Sequence, residues 1–418
     1  MNIEKPQFQN MKNRSLVIST ALFLFTFVLT AQMKEYTLEE CILIALDKNI
    51  SIKQSELDLE SAEIDKADAL GNFLPRINAQ SQHIWNNGLS QNITNGLIEN
   101  LTTQFSSFGG NIGLTLFNGR QNVNQLSRAN LNMLARQYQL EDMKDDISLF
   151  VANAYLQVMF SKELEQVQRY QLELAKQELE RTQLSIDAGI LTAAEIFEIE
   201  ANVATQEQAV IQAENAYRLS RISLAQLLLI TDYENFDIAQ EEFDIPFSEI
   251  LGETPKKIYE KALTFRNDIK LGITNLELAE KEIDLAKGAL MPTLSAFYNY
   301  NTRISYSDRL VETGEFIRTP IGFVQDNGAV VVSQFPQRDL AGALPFGTQF
   351  TQNDGQSYGL SLNIPIFNGL SAKNNIKRRK LNLKRIENQL EQTKLDLENT
   401  INQAYNDAKG AYKFYDAS

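Results

Sequence analysis

One histidine, His83, and one cysteine, Cys41, occur in this sequence of 418 residues. A Ser–His–Asp or Cys–His unit would have to be built on His83, and the two residues together are too few for a Cys/His zinc site. Cys41 alone excludes an internal disulfide framework; it falls inside a helical pattern and is expected to pack as a small apolar side chain. Carboxylates recur as adjacent pairs, Glu39-Glu40, Asp145-Asp146 and Glu241-Glu242. Adjacent helical residues do not face each other, so these pairs read as solvated surface rather than as an acid and base acting together. Gly109-Gly110-Asn111-Ile112-Gly113 lacks the lysine and the strand-then-helix setting of a phosphate loop. Lys377-Arg378-Arg379-Lys380 with Lys384-Arg385 is a dense basic patch suited to anionic lipid, to a channel lumen or to plain solvent. No catalytic, cofactor or metal constellation emerges. The net charge of -14, from 39 Lys+Arg against 53 Asp+Glu, disfavours a nucleic-acid binder.

The elements that would carry such residues begin with an export signal. Met11-Lys12-Asn13-Arg14 supplies positive charge. Leu16 to Leu29 is an apolar run of about 14 residues broken only by Ser and Thr, too short to span a bilayer comfortably. Leu29-Thr30-Ala31 ends it with a small residue at the cleavage point, so residues 1–31 read as a signal peptide and Gln32 as the mature start. Cys41 does not follow the run directly, and no lipid attachment is expected. Beyond this segment no run of about 18 apolar residues recurs, so the exported chain is expected to be soluble outside the cytoplasm or to enter a membrane as β-strands.

The chain repeats itself. A gapless register matches Ile52 with Ile269, Lys53 with Lys270, Leu59 with Leu276, Ala62 with Ala279, Ala69 with Ala286, Gly71 with Gly288 and Pro75 with Pro292. A second block pairs Gly109 with Gly359, Phe117-Asn118-Gly119 with Phe367-Asn368-Gly369, Arg128 with Arg378, Leu131 with Leu381, Leu140 with Leu390 and Ala154-Tyr155 with Ala404-Tyr405. Two collinear blocks that keep the same Pro and Asn-Gly landmarks mark a duplication.

Each repeat runs helix, Pro, strand, strand, Asn-Gly, long helix. Ser51 to Phe73 has helical spacing and is stopped by Leu74-Pro75. Strict alternation then sets Ile112, Leu114 and Leu116 opposite Asn111, Gly113 and Thr115. In the second repeat it sets Leu294, Ala296, Tyr298 and Tyr300 opposite Ser295, Asn299 and Asn301, and Tyr358, Leu360, Leu362, Ile364 and Ile366 opposite Ser357, Gly359, Ser361, Asn363 and Pro365. Period two with one polar face marks strands wet on one side. Ile77 to Trp85 is a fainter strand, with Trp85 suited to a membrane interface. The polar segments between paired strands, Asn86 to Asn100 and Ser305 to Gln356, read as loops, the second longer by about 33 residues and carrying an apolar run at Val330-Val331-Val332.

From Gln121 to Asp187 the sequence holds neither Pro nor Gly, which predicts one helix of about 100 Å. Asp187-Ala188-Gly189-Ile190-Leu191-Thr192 breaks it, with Gly189 at a left-handed C-cap position and Thr192 placed to cap the next helix. That returning helix spaces small residues along it (Ala201, Ala204, Ala209, Ala213, Ala216), which favours close antiparallel packing as a coiled coil. The expected division is residues 32–232 for the first repeat (strand pair about 77–117, long helix about 120–187, return helix about 193–230). A linker follows at 233–254, then a second repeat at 255–418 (strand pair about 293–366, long helix from about 370).

Four strands per chain cannot close a barrel. Unpaired backbone in hydrocarbon costs several kcal/mol per group, so several copies must share one barrel if the apolar faces meet lipid. Two copies give about eight strands and a filled interior; three give about twelve and room for a channel.

The duplicated plan, the signal, the Phe-Asn-Gly motifs and the Asp187 to Thr192 turn resemble TolC-type outer-membrane efflux channels over essentially the whole mature chain. That resemblance implies a mainly α chain with a β membrane part. Long antiparallel coiled-coil helices would form a periplasmic α-barrel, with four strands per chain in a shared, trimeric, 12-stranded outer-membrane barrel. It further implies a passive exit duct of a tripartite efflux or type I secretion system, partnered by a periplasmic adaptor (a membrane fusion protein), an inner-membrane transporter and outer-membrane lipid. No reaction is catalysed and no cofactor is needed. Carried over by position, Gly189, Ile190, Leu191 and Thr192 match the helical tip where adaptors dock. Pro75, Phe117, Asn118, Gly119, Pro292, Phe367, Asn368 and Gly369 match the junctions between barrel and helices. Ile190 and Leu191 are apolar residues at an exposed turn, as a partner contact would require; packing inside the turn is the plainer reading. Ser418 aligns near Gln168, so the second repeat lacks counterparts of about the last 64 residues of the first, the stretch that carries the family's periplasmic aperture. The expectation is a fragment or a naturally short chain, in which gate residues have no counterpart to name. The competing reading is an exported soluble coiled-coil scaffold or adaptor, which leaves the two alternating strand pairs without a purpose.

Overall fold

The computed structural model describes residues 34–91, 97–239 and 252–417. The expected signal segment, the centre of the first inter-strand loop, and most of the expected linker with Glu241-Glu242 lie outside them. In chain order the described helices are α1 (Leu38–Lys48), α2 (Ile50–Gly71), α3 (Gln121–Asp187), α4 (Glu195–Leu227), α5 (Pro255–Phe265), α6 (Asn267–Gly288), α7 (Phe346–Gln352) and α8 (Ser371–Ala417). The strands are β1 (Lys34–Tyr36), β2 (Arg76–Gln91), β3 (Ile98–Asn118), β4 (Phe236–Ile238), β5 (Thr293–Ser305), β6 (Arg309–Phe323), β7 (Val330–Ala341) and β8 (Gly355–Asn363). The chain divides into two compact units, and the division does not follow the repeats. One unit holds residues up to 61, 134–272 and from 391; the other holds 62–133 and 273–390. Each therefore draws on both repeats.

The helical unit is built on an amphipathic stripe. Leu140, Ile147, Val151, Tyr155 and Val158 on α3 recur at intervals of three, four and seven and are all buried. Against them pack Cys41 and Ala45 of α1, Ile52 of α2, and Leu224, Ala225 and Leu228 at the end of the return helix. Cys41 is thus a core residue, as its surroundings in the sequence implied. α1 starts on a reciprocal cap in which the Glu40 amide donates to Thr37 Oγ1 (3.2 Å) and the Thr37 amide to Glu40 Oε2 (3.1 Å). Glu40 is therefore a capping residue rather than merely solvated. Asp145, of the second carboxylate pair, accepts a hydrogen bond from Asn267 Nδ2 at 3.0 Å.

β1 and β4 pair in parallel, Lys34 opposite Phe236 and Tyr36 opposite Ile238. So the segment read as linker contains a strand, held by what surrounds it: Phe236 and Ile238 are buried, and Tyr155 Oη donates to the Ala239 carbonyl at 3.0 Å. Between them Asp237 accepts from Tyr217 Oη (2.6 Å), the Ile238 amide (2.9 Å) and Lys162 Nζ (3.1 Å). Burial alone pushes the Asp237 carboxyl up, but those three donors outweigh it and hold it below the usual carboxylate value. Tyr217 is raised, by burial first and then by its bond to Asp237. Asp142 on α3 is raised by burial and by the charges of Asp268 and Asp146 against the opposing pull of Arg266.

On the return helix the buried positions are Val203, Val210, Ala213, Leu224 and Ala225. Of the five alanines expected to form the seam only Ala213 is buried, while Ala201, Ala204 and Ala216 are exposed. β-Branched and Leu side chains fill more of the gap between two helices than a methyl does, and they set the rotation. Arg169 pairs with Glu214 and Lys176 with Glu207 (3.4 Å) across the same hairpin.

The strand unit holds an antiparallel sheet in the order β2-β3-β5-β8 and a separate hairpin, β6-β7. Both segments read as loops are largely ordered strand. β2 runs on to Gln91 and β3 starts at Ile98, opposite it; its Asn, Gln and Thr side chains give no apolar alternation to reveal a ladder held by backbone bonds. The expected 305–356 loop contains β6, β7 and α7, with Val330-Val331-Val332 opening β7. α7 is fastened to the end of β5: Gln349, 5% exposed, donates from Nε2 to the Ser305 carbonyl (2.8 Å) and accepts from the Ser305 amide (2.9 Å). Phe346 and Phe350 stack on each other and meet Phe108 edge-on at 5.8 and 5.6 Å.

Candidate functional site: an open-edged sheet and a helical tip

Opposed residues of an antiparallel ladder lie on one face. Ile77 pairs with Ile112, Ile112 with Tyr298 and Tyr298 with Tyr358; next to them Leu114, Ala296 and Leu360 form a second row. Along these rows the face is apolar and open, with Ile77 71% and Tyr358 81% exposed, while further along it α7 covers Phe108. The opposite face carries Asn78, Gln80 and Gln82 on β2, Asn111 on β3, Asn299 and Asn301 on β5 and Ser357 on β8, with Asn299 Nδ2 donating to Ser357 Oγ at 3.4 Å. An apolar face beside a polar one, open along the rows from Ile77 to Leu360, suits a wall between lipid and water. Gly109 and its neighbours lie in mid-strand, not at a phosphate loop.

Above the apolar rows sits a polar cluster. His83 Nδ1 bonds Ser106 Oγ (2.7 Å), and His83 Nε2 meets Gln104 Nε2 (3.0 Å). Trp85 packs edge-on against the imidazole at 4.0 Å, and Tyr306 approaches its other side at 5.5 Å. The histidine is tied into the sheet through the Ser106 hydroxyl and the Gln104 amide.

At the first strand-to-helix junction Phe117 and Asn118 pair with Leu294 and Thr293, and the chain turns through Gly119 and Arg120 at φ +64 and +63. Asn118 Oδ1 accepts from the Asn122 amide (3.2 Å), and Asn122 Nδ2 donates to the Asn72 carbonyl (2.8 Å), which ties the start of α3 to the end of α2. Glycine is required at 119 on two counts. Its φ is left-handed, and a Cβ would lie 2.5 Å from the Gly288 carbonyl oxygen and 2.6 Å from Met291 Cβ. Gly288 has the mirror constraint, 2.5 Å from Gln121 Cγ and 2.9 Å from the Gly119 oxygen. The junction after β3 thus interlocks with the one that precedes Pro292. Nearby, Arg128 reaches Glu282 at 3.8 Å and Arg379 reaches it at 2.7 Å. α2 and α6 stop at Gly71 and Gly288, before Pro75 and Pro292.

The second strand-to-helix junction repeats the backbone, with Gly369 and Leu370 at φ +62 and +65, yet Phe367 is 79% exposed and nothing lies within 4 Å of a Cβ at Gly369. Pro75 is likewise exposed.

At the tip Gly189 has φ +72, its amide bonds the Ile186 carbonyl (2.8 Å), and the Ile190 amide bonds the Ser185 carbonyl (2.9 Å). This pair of bonds closes α3 in a Schellman turn. Thr192 does not cap the next helix as expected: Ala194 precedes α4 without a side-chain cap, and Thr192 Oγ1 donates to Glu195 Oε1 at 3.2 Å. Glu195 competes for the hydroxyl and reaches back toward the Thr192 amide (3.5 Å). Ile190 is 76% exposed, which disfavours packing inside the turn, while Leu191 is half-buried beside Thr182 and Ser185.

Sequence reasoning missed the Gly119–Gly288 interlock and the Glu282 ion pairs. Their signal was present in the Gly71/Gly288 and Arg128/Arg378 matches, although within the chain only Gly288 is confined and Gly71 is open. Among the described residues no helix is long and apolar enough to cross a membrane, and no three His, Cys, Asp or Glu gather as a metal site.

A half-wet sheet with both edges open, feeding long helices in duplicate, defines a subunit of a β-barrel channel with a helical extension. The chain belongs to the outer membrane efflux protein family, whose sequence profile matches residues 42–228 and 258–415. It is accordingly an outer-membrane efflux channel subunit, and this favours the channel over the soluble scaffold. Among solved structures it is similar to the outer-membrane channel OprN (TM-score 0.68, 17% identity, 91% of this chain and 76% of that one). It is also similar to the CmeC outer membrane channel of Campylobacter jejuni (0.63, 16%, 91% and 74%) and the MtrE outer membrane channel of Neisseria gonorrhoeae (0.60, 16%, 91% and 75%). No curated protein matches the chain.

Proposed function

We propose that three copies of this chain form a passive exit duct through the outer membrane, with helices in the periplasm. The duct serves a tripartite efflux or type I secretion system that exports small molecules or proteins. The observation that carries the reading is the four-stranded sheet with an apolar face open along the Ile77 to Leu360 rows and two outer strands that have no further partner strand among the described residues. Its backbone groups can be satisfied in lipid only by neighbouring strands. The adaptor contact is assigned to Gly189, Ile190, Leu191 and Thr192. Gly189 makes the turn, Ile190 offers an apolar side chain to a helical hairpin of the adaptor, and the inner-membrane transporter joins through that adaptor. The barrel-to-helix junctions Pro75, Phe117, Asn118, Gly119, Pro292, Phe367, Asn368 and Gly369 are architectural.

The test is to express the chain with its own pump in a host lacking outer-membrane efflux channels, and to measure export and membrane fractionation. Restored export with the protein in the outer membrane is expected, and Ile190→Asp should lower export at least tenfold while leaving the amount of membrane-inserted channel unchanged. Protein that stays soluble without detergent would overturn the proposal.

A further inference from the structure

The β6-β7 hairpin is the part of the strand unit that a barrel wall does not use. Its strands pair with each other and with no strand of the four-stranded sheet. β5 starts at Thr293, shortly after α6, and ends at Ser305, so the hairpin that follows at Arg309 rises from the end of the sheet away from the helices. With the helices in the periplasm, that end faces the cell exterior. The first repeat has no such extension among the described residues, since its β2-β3 ladder simply continues to Gln91 opposite Ile98. The 15 residues of β6 give the ribbon a reach of roughly 50 Å.

Its chemistry divides along its length. The base is charged, with Arg309, Glu312, Glu315, Arg338 and Asp339, and Arg338 Nη2 lies 3.4 Å from Glu312 Oε1. From Phe316 to Phe335 the only charges are Arg318 and Asp326, which cancel. Phe316 lies opposite Pro336 and Ile317 opposite Phe335; consecutive residues point to opposite sides, so both faces of the distal ribbon are apolar. Phe316 is 66% and Phe323 72% exposed. The turn is closed by the Val324 amide on the Ala329 carbonyl (2.8 Å) and the Gly328 amide on the Val324 carbonyl (2.9 Å). A two-stranded ribbon is marginally stable by itself in water, and one with this much apolar surface needs a cover.

Hydrocarbon does not supply that cover. The apolar rows of the sheet end where α7 lies over Phe108. Polar groups begin at the same level: Thr302 Oγ1 donates to the Phe350 carbonyl (3.0 Å), Gln349 bonds both backbone groups of Ser305, and His83 bonds Ser106. The hairpin starts beyond this polar level. In a ring of three, what stands beside it is the same hairpin of the other two copies. Three ribbons whose distal halves carry no net charge do not repel one another, and the barrel below holds each at high effective concentration for the next.

We infer that the distal halves of the three hairpins pack on one another through Phe316, Ile321, Phe323 and Val330 as an apolar cap over the outer mouth of the barrel. This rests on the channel reading and goes beyond it, since a shared barrel needs no contact between these ribbons. Cargo leaving the duct parts them, and burial of their apolar faces brings them together again.

The test uses the mature chain with Cys41→Ala. Pyrene attached at Gln325→Cys, in the turn of the hairpin, should give excimer emission that fades as labelled subunits are diluted with unlabelled ones, whereas pyrene at Glu312→Cys, at the base, should give monomer emission. In intact cells Asn299→Cys, on the polar face of the sheet, should react with an externally added 5 kDa polyethylene glycol maleimide at least tenfold faster once residues 313–337 are replaced by a Gly-Ser turn. Phe316→Asp with Phe323→Asp in the full-length hairpin should give the same acceleration without shortening the chain. Monomer emission from the turn, its quenching by brominated lipid, or equal labelling rates with and without the hairpin overturns the cap and leaves the channel reading standing. A protein that stays monomeric and soluble without detergent overturns both.

Discussion

The two strand-to-helix junctions perform the same backbone turn in different surroundings. Gly119 is wedged against Gly288 and Met291, whereas Gly369, with nearly the same φ, faces open space. The helical parts differ in the same sense. The first repeat buries Tyr155, Val151, Leu224 and Leu228 in one large cluster, while the cluster of the second repeat among the described residues is small, Ala262, Ile269 and Leu397 with Tyr259, Leu263 and Ile401 beside them. A duplicated sequence thus yields one copy whose contacts are made within the chain and one whose equivalent contacts are turned outward. That difference is what a ring built from repeated units requires: each subunit is closed inside and open at its two sides.

The comparison is most sharply broken in the core. Leu224→Ala should destabilise the helical unit by about 2–5 kcal/mol, read as a urea midpoint, because a fully buried Leu leaves a cavity. Leu395→Ala, at an exposed site of the second repeat, should cost under about 0.5 kcal/mol. Gly119→Val should cost about 2–4 kcal/mol in the same assay, from left-handed strain together with overpacking against Gly288. Gly369→Val meets only the strain and should cost about 1–2 kcal/mol in the separated subunit.

Two carboxylates sharpen the comparison through pH. Asp237 is depressed in the folded chain, so its stabilisation is present above its ordinary unfolded value and is lost as pH falls through the lower folded one. Asp142 is raised, so folding is penalised once pH climbs past the unfolded value, and the penalty persists at neutral pH. Asp237→Asn should therefore destabilise at pH 7 and flatten the acid limb of urea midpoints measured from pH 7 downward. Asp142→Asn should stabilise at pH 7. The smallest effect belongs to Arg128→Ala, about 0.5 kcal/mol or less, since its 3.8 Å pair with Glu282 is partly solvated.

Much of the fold was legible because it rests on local rules. The helix from Gln121 to Asp187 follows from sixty-odd residues without Pro or Gly, and it ends at Gly189 because a left-handed residue there satisfies the last carbonyls. The alternation at 110–117 and 294–301 marked strands because one face was apolar. Where apolar residues are isolated among polar ones, as Leu89 and Ile98 are at 86–91 and 98–100, no alternation revealed the strand, since its ladder is held by backbone bonds common to every residue. The β6-β7 hairpin was hidden for another reason: Leu310, Phe316, Ile317, Ile321 and Phe323 do not alternate, because the register shifts between Glu312 and Phe316 and between Pro320 and Gly322. Thr192 was misplaced as a cap because Glu195 takes its hydroxyl, a competition between side chains that spacing does not reveal. At the tip, the sequence placed Ile190 and Leu191 together at an exposed turn; only the fold showed that Ile190 is exposed and Leu191 half-buried.

The sequence by itself determined the duplication, the long helices, the alternating strands and the family, because each depends on residue type at short spacing or on matched landmarks. Tertiary structure decided which matched contacts are made inside the chain. Gly119 meets Gly288 and Gly71 meets nothing, although the residues are the same, because only one of the two equivalent interfaces lies between segments of a single polypeptide.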